Sequence, residues 1–361
     1  MNPALQALTK RLAKLATHYD ITGEWPARSL DHLTDAGAWT WVIPRRFGGL
    51  ELDPVSQTNA YEAIAAGCMS TLLILTQRDA ACELIAHGEN EALKQALLPK
   101  FAAHEILASV GISQLTTSHQ TGRPTLSAKP EGDGFMLNGF APWVTGAEKC
   151  EYIVTGGVLP DRGQVLAAVP TDTPGVTVDR PMQLMALQSS ATSEVHFKEV
   201  LVEQRHLIRG PAEKVLSSRS TVKPLVVATA GVGLAGTMVR TITNYAAKSD
   251  GILAGMSEEV GQRYEAMRDR LMRAVESLSD PEADTSKTEI RVAVNDLLMR
   301  LAIAMLTFSK GSGFLRQLDA QRLVREAMFF LVWSAPEEVR TETLSAFLEQ
   351  PQPRSKSMSF Q

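Results

Sequence analysis

Three consecutive residues, Trp143, Val144 and Thr145, carry the clearest chemical signal in the chain. They follow a short alternating run, Phe135-Met136-Leu137, and a glycine at position 139 that reads as a turn. Alternation of apolar and polar residues marks a strand, so an indole and a hydroxyl fall at a strand end. A large aromatic face with a hydroxyl beside it suits a flat heterocycle that has a polar edge. The surrounding stretch, from Glu105 to Gly146, is also where the chain changes texture. Before it, apolar residues recur at helical spacing; within it, they alternate.

Other chemistries find less support. The cysteines Cys68, Cys82 and Cys150 are odd in number and widely spaced. They form neither a disulfide framework nor a metal-ligand pattern, so no metal site is expected and a reducing cytoplasm is. No GxGxxG run leads from a strand into a helix, which argues against a doubly wound dinucleotide fold. The net charge of −4 offers no basic footprint for nucleic acid. Lys10, Arg11 and Lys14 interrupt any apolar run near the N-terminus, so no signal peptide is expected. The apolar run from Leu225 to Leu234 is too short to span a bilayer, and no membrane span is expected.

The elements that must position Trp143 and Thr145 fall into three groups. The 361 residues exceed what one core usually supports. Residues 1–105 read as an N-terminal α-helical domain, with helices over 3–19, 29–37, 55–66, 70–87 and 90–103. Within it, His87 and His104 flank the last helix as surface residues. Trp39 and Trp41 read as core residues beside a loop broken by Pro44 and Gly48-Gly49. Residues 106–208 read as a middle β domain, an antiparallel, barrel-like sheet, because turn signals and no long helical pattern separate the strands. Its strands are expected at 106–112, 135–137, 152–156, 165–169, 176–178 and 193–197. Residues 212–349 read as a C-terminal four-helix bundle, with helices over 221–248, 257–279, 286–310 and 319–333 and a short one over 337–348. Gly231 and Gly233 in the first of these are expected to lie against another helix. Met272, Met299, Met305 and Met328 read as bundle core. Arg263, Arg268, Arg270 and Arg273 read as a solvated or subunit-facing side. The tail, 350–361, is polar and expected to be disordered. The fold class is therefore α+β.

This order of parts resembles the acyl-CoA dehydrogenase family, and specific residues support it. Ile43-Pro44-Arg45-Arg46-Phe47-Gly48-Gly49-Leu50 resembles that family's IPEEYGGLG loop. Phe135 to Gly139 followed by Trp143-Val144-Thr145 resembles its GYVLNGxKxWIT motif. Thr173-Pro174-Gly175-Val176 and the run from Ser189 to Val202 resemble its end-of-barrel pattern, SxTxELxFxDVxVP. The matching covers roughly residues 35 to 250, and the motifs are specific in combination rather than singly.

The resemblance implies FAD, with Trp143 near the isoalloxazine and Thr145 donating to its N5 edge. It implies that Ser113 takes the place of a flavin-contacting Thr in the family's LTEPGAGSD loop, which falls on residues 112–120. His119 then stands on the phosphate side of that loop. The implied reaction is α,β-dehydrogenation of an acyl-CoA or other acyl-thioester. Electrons would pass to an electron-transfer flavoprotein or another acceptor, and the chain would form a homodimer or homotetramer. The reaction requires a carboxylate base. No YEGT-like segment is present, and the region of Lys223 offers no carboxylate, so Glu337 and Glu338 are the candidates. As first-turn residues before a helix they also suit its dipole. Without a base, an oxidase- or monooxygenase-like reaction or a non-catalytic role in assembly or ligand binding are the alternatives.

Overall fold

The computed structural model describes residues 2–115, 125–216, 223–247, 252–279 and 286–348. The first helix, α1 (Pro3–Thr22), starts at Asn2, whose side chain accepts from the Ala4 amide at 2.9 Å. It stops at Gly23, which adopts the left-handed conformation that glycine enters without steric cost. Four more helices follow: α2 (Ala27–Asp35), α3 (Pro54–Gly67), α4 (Met69–Ala86) and α5 (Glu91–Ala102). Asp53 and Asn90 cap α3 and α5 by accepting backbone amides at 2.9 and 3.1 Å.

These helices are tied together by a buried charge. Arg78 on α4 pairs with Asp79 at 2.8 Å and donates to the Trp39 and Phe101 carbonyls at 2.8 and 2.7 Å. Tyr61 on α3 donates to the same Asp79. Trp39 and Trp41 are buried in the core as expected. His104 is exposed as expected, and one face of its ring stacks on Trp39 with centroids 4.1 Å apart. Burial and the nearby Arg78 hold its pKa below the ordinary imidazole value.

The middle of the chain forms eight strands: β1 (Ala108–Gly111), β2 (Leu126–Glu131), β3 (Gly134–Val144), β4 (Tyr152–Thr155), β5 (Gln164–Pro170), β6 (Val176–Val178), β7 (Ser193–Val202) and β8 (Leu207–Ala212). They make two four-stranded sheets, ordered β1-β4-β5-β8 and β2-β3-β7-β6. Val158 bridges them by pairing with both Ser127 and Gln164. One pair departs from the antiparallel expectation: β1 and β4 run parallel. The chain between them makes the β2–β3 hairpin before returning, so β4 runs the same way as β1.

Gly139 is also not a turn. It sits inside β3 at a bulge, with φ of 127° and a register shift against β7. A Cβ there would lie 2.1 Å from the Thr125 carbonyl oxygen. Glycine thus lets the strand pass its neighbour closely and continue to Val144, instead of ending at Leu137.

The C-terminal helices are α6 (Lys223–Ala246), α7 (Ile252–Glu276), α8 (Lys287–Ser309), α9 (Asp319–Phe329) and α10 (Glu337–Leu348). Helix α6 is central, packing on α3, α7 and α8. Its glycines do lie against other helices. A Cβ on Gly233 would lie 2.5 Å from the Glu62 carbonyl oxygen on α3, and one on Gly231 would lie 2.4 Å from the Val294 side chain on α8. Two segments, Leu225–Ala246 and Lys287–Phe314, are apolar and long enough to cross a membrane, longer than the Leu225–Leu234 run suggests; 67% and 50% of their apolar windows are buried in this fold.

Met299 and Met305 are core residues, whereas Met328 is 37% exposed. It lies on the outer side of α9, which ends at Phe329. One apolar core cluster runs from Leu12 and Ile64 through Val144 and Val195 to Leu234 and Leu298, and a second joins Ile43, Cys82 and Phe101 to Val110, Val154 and Ile208. The helices on either side therefore clamp the sheet ends.

Candidate functional site

The end of β3 presents neighbouring side chains to opposite faces, as a pleated strand must. Trp143 is 57% exposed, an unusual position for an indole, while Val144 is fully buried and Thr145 only 8% exposed. The Thr145 hydroxyl lies 3.3 Å from the Thr192 hydroxyl, which lies 2.9 Å from that of Ser190. Gly146 (φ 64°) donates its N–H to the Ser190 and Ala191 carbonyls at 2.9 and 3.2 Å. A Cβ on Gly146 would meet the Trp25 ring at 2.9 Å. The link between α1 and α2 thus places a second indole against this corner.

The turn that supplies Ser190 is held against its preference. Leu187 and Ala191 have φ of 60° and 47°, a region that non-glycine residues enter at a cost of about 1–3 kcal/mol. The Gln188 side chain fixes it, donating to the Met182 carbonyl at 2.8 Å and accepting from the Leu184 amide at 2.7 Å. The same turn packs against α1 and α4. Beside it, the hydroxyls of Ser189 and Ser193 are buried and make no hydrogen bond with the described residues. Ser193 is the register partner of Val144. Strain, buried orphan hydroxyls and an exposed indole in one corner are the marks of a ligand-facing surface.

A second strand end adjoins the first. A Cβ on Gly111, the last residue of β1, would lie 2.9 Å from Val144 and 3.0 Å from Ala141. The two strands therefore pack with no room for a side chain between them. Ser113 follows two residues later, half-buried. Its turn is fixed by Gln114, which donates to the Gly111 carbonyl, the Thr155 hydroxyl and the Gly156 carbonyl at 2.8, 2.9 and 3.0 Å. Ser113 and Thr145 thus leave adjacent strand ends. His119, with Thr116, Thr117 and Ser118, lies outside the described residues, as do the Lys223 side chain and the 350–361 tail.

Glu337 and Glu338 are exposed on the first turn of α10, which packs on α8. The structure does not gather them with Thr145, Ser190 and Thr192. The buried carboxylates are engaged elsewhere. Glu62 meets Arg268 at 2.7 Å, Asp79 meets Arg78 and Tyr61, and Glu326 meets Arg322 at 3.1 Å. Burial pushes the carboxyls of Asp79 and Glu326 up, against the opposing pull of their arginines. Three of the four arginines along α7 pair within the chain, Arg263 with Glu259, Arg268 with Glu62 and Arg270 with Glu289.

Sequence reading did not assign Ser190, Thr192 or Trp25 to this corner. A signal for the first two existed in the hydroxyl-rich run Ser189-Ser190-Ala191-Thr192-Ser193. Trp25 had none, since a lone indole between helices reads as core.

Helices, two small sheets and helices again, with polar groups converging on the sheet ends, define a three-part helix–sheet–helix protein. Residues 3–105 match the acyl-CoA dehydrogenase N-terminal domain and residues 103–200 the acyl-CoA dehydrogenase middle domain. The chain belongs to the acyl-CoA dehydrogenase family. It is 24% identical to the probable acyl-CoA dehydrogenase YngJ of Bacillus subtilis (strain 168), over 92% of each chain. It is 22% identical to the human mitochondrial short-chain specific acyl-CoA dehydrogenase, over 94% of this chain and 86% of that one. Its fold is similar to that of glutaryl-coenzyme A dehydrogenase in its glutaryl-CoA complex, with a TM-score of 0.83 at 18% identity and 96% of each chain covered.

Proposed function

We propose that this chain is a flavin-dependent oxidoreductase acting on an acyl-thioester, with FAD held at the end of β3. The observation that supports this most is the exposed Trp143 beside the buried Thr145–Thr192–Ser190 hydroxyl chain. An indole face and a row of hydroxyls suit a planar ring with polar atoms along one edge. The orphan hydroxyls of Ser189 and Ser193 agree with a ligand that supplies polar atoms. FAD supplies a two-electron acceptor when bound.

In this reading Trp143 covers a ring face. Thr145, oriented by Thr192, donates to the ring edge, and Ser113 donates from the adjoining strand end. The family resemblance assigns His119 to the phosphate side of the cofactor. The reaction class is α,β-dehydrogenation of an acyl-CoA or similar thioester, with an electron-transfer flavoprotein or related acceptor receiving the electrons. A carboxylate must remove the α-proton. Glu337 and Glu338 serve only if the first turn of α10 turns toward the substrate.

A second reading, an oxidase- or monooxygenase-like flavoenzyme, is favoured by one observation. Among the described residues no carboxylate is hydrogen-bonded to the Thr145 cluster. The test that separates the readings is flavin reduction by acyl-CoA without oxygen. Bleaching of bound FAD supports dehydrogenation. Bound FAD that resists acyl-CoA but reoxidises rapidly in air after chemical reduction supports the second reading. A chain whose melting temperature moves with neither FAD nor acyl-CoA is a non-catalytic member.

Assembly as a homodimer or homotetramer is part of this proposal. Ile303, Phe314, Val332, Leu344 and Leu348 expose apolar surface on the C-terminal helices and the links between them. Such surface on a folded chain suits burial against another copy. Light scattering that shows a monomer would refute it.

A further inference from the structure

The outer face of the β6–β7 pair carries a group of side chains that the candidate site does not use. In this antiparallel pair Val178 faces Val195 and Thr177 faces His196. One step further, Asp179 donates its backbone N–H to the Glu194 carbonyl at 3.0 Å. Asp179 therefore sits directly across from Glu194. Glu194 and His196 are two apart on β7 and share a face, while Val195 and Phe197 point the other way into the core. The His196 Nε2 lies 3.2 Å from the Asp179 carboxylate and 3.5 Å from that of Glu194. One ligand atom from each of the three lies within 4.8 Å of the others. Phe140, the register partner of His196 on β3, packs beside the imidazole with centroids 5.7 Å apart. Two of the three groups thus stand on β7, and the third is the residue that directly follows β6.

This placement carries its own energetic signal. Like charges directly opposite each other in an antiparallel pair are destabilising. The strands carry that arrangement at the end of β6, a three-residue edge strand whose Val176 and Val178 pack on the core, and His196 is the group placed against both carboxylates. A divalent cation between Asp179 and Glu194 converts the repulsion into attraction, and the neutral imidazole completes the set with its lone pair. One nitrogen and two carboxylate oxygens suit borderline ions such as zinc better than magnesium or calcium, which take oxygen alone. Three protein ligands leave a position for water.

We propose that Asp179, Glu194 and His196 form a binding site for a divalent transition-metal ion, with zinc as its representative. The ion pins β6 to β7 at the point where the chain leaves for the strained Gln188–Ser190 turn. Met182, three residues on, donates its amide to the Thr192 carbonyl at 2.9 Å. The metal therefore steadies the segment that carries Ser190 and Thr192. Neither cysteine count nor local spacing points to this site, because Asp179 meets the other two only through strand register.

The test is calorimetric titration of zinc chloride into the chelator-treated full chain, paired with its melting temperature. The expected result is one ion bound per chain, a raised melting temperature, and no comparable effect of magnesium. His196→Ala and Asp179→Asn, both on the solvent side, should each weaken zinc binding roughly tenfold or more, since even loss of a ligand's supporting partner costs that much. Absence of zinc binding, or binding that both variants leave unchanged, overturns the proposal.

Discussion

Replacing Trp143 with Ala separates a ligand-facing indole from a structural one. The side chain is 57% exposed and ends a strand whose neighbours Val144 and Thr145 hold the buried contacts. Truncation therefore leaves the core intact, and surface changes of this kind usually stay within about 0.5 kcal/mol of the parent stability. Stacking of an aromatic pair is worth about 0.5–1.5 kcal/mol beyond area burial. At about 1.4 kcal/mol per tenfold, that weakens FAD binding by about 2- to 12-fold. Trp143→Phe retains a ring face and should recover most of the affinity. The assay is flavin fluorescence titration of the chelator-free apoprotein, alongside its melting temperature without ligand. If Trp143→Ala lowers the ligand-free melting temperature by several degrees while FAD affinity is unchanged, the indole is a packing residue and the stacking role is wrong.

Gly233→Ala should destabilise the chain by about 1–3 kcal/mol, despite alanine's better helix propensity, because the methyl would press on the Glu62 carbonyl and Ala65; denaturant midpoints read this directly. All three cysteines are buried, and burial raises each thiol, that of Cys82 to about 12. A thiol reagent at pH 8 should therefore modify none of them in the folded chain and all three after unfolding. His104 has a folded pKa held below the ordinary value by burial and Arg78. The folded state thus favours neutral imidazole, its contribution is complete above about pH 6.5, and it is lost as pH falls below that. Melting temperatures from pH 7.5 to 5 should fall more for the parent chain than for His104→Gln.

Much of this was legible in the sequence because it is local. The helices, the two arms of the β3 motif, and the glycines at helix contacts follow from spacing and residue size. What was not legible depends on register or on distant partners. Gly139 looks like a turn unless its bulge against β7 and its close approach to Thr125 are known, since a glycine in a strand serves either role. The β1–β4 pair is parallel because of chain routing that no local pattern encodes. Trp25 meets Gly146 across 121 residues of sequence and Thr192 meets Thr145 across 47, and Asp179 meets His196 only through β6–β7 pairing. Glu337 and Glu338 were chosen because the chemistry needs a carboxylate, and need does not determine where α10 presents them.

The visible spectrum of the purified chain, before and after acyl-CoA is added without oxygen, tests the central claim most directly. The account predicts the absorbance bands of oxidised flavin after incubation with FAD, and their loss on adding acyl-CoA. A chain that stays colourless with FAD in excess would contradict the assignment of the β3 end as a flavin site.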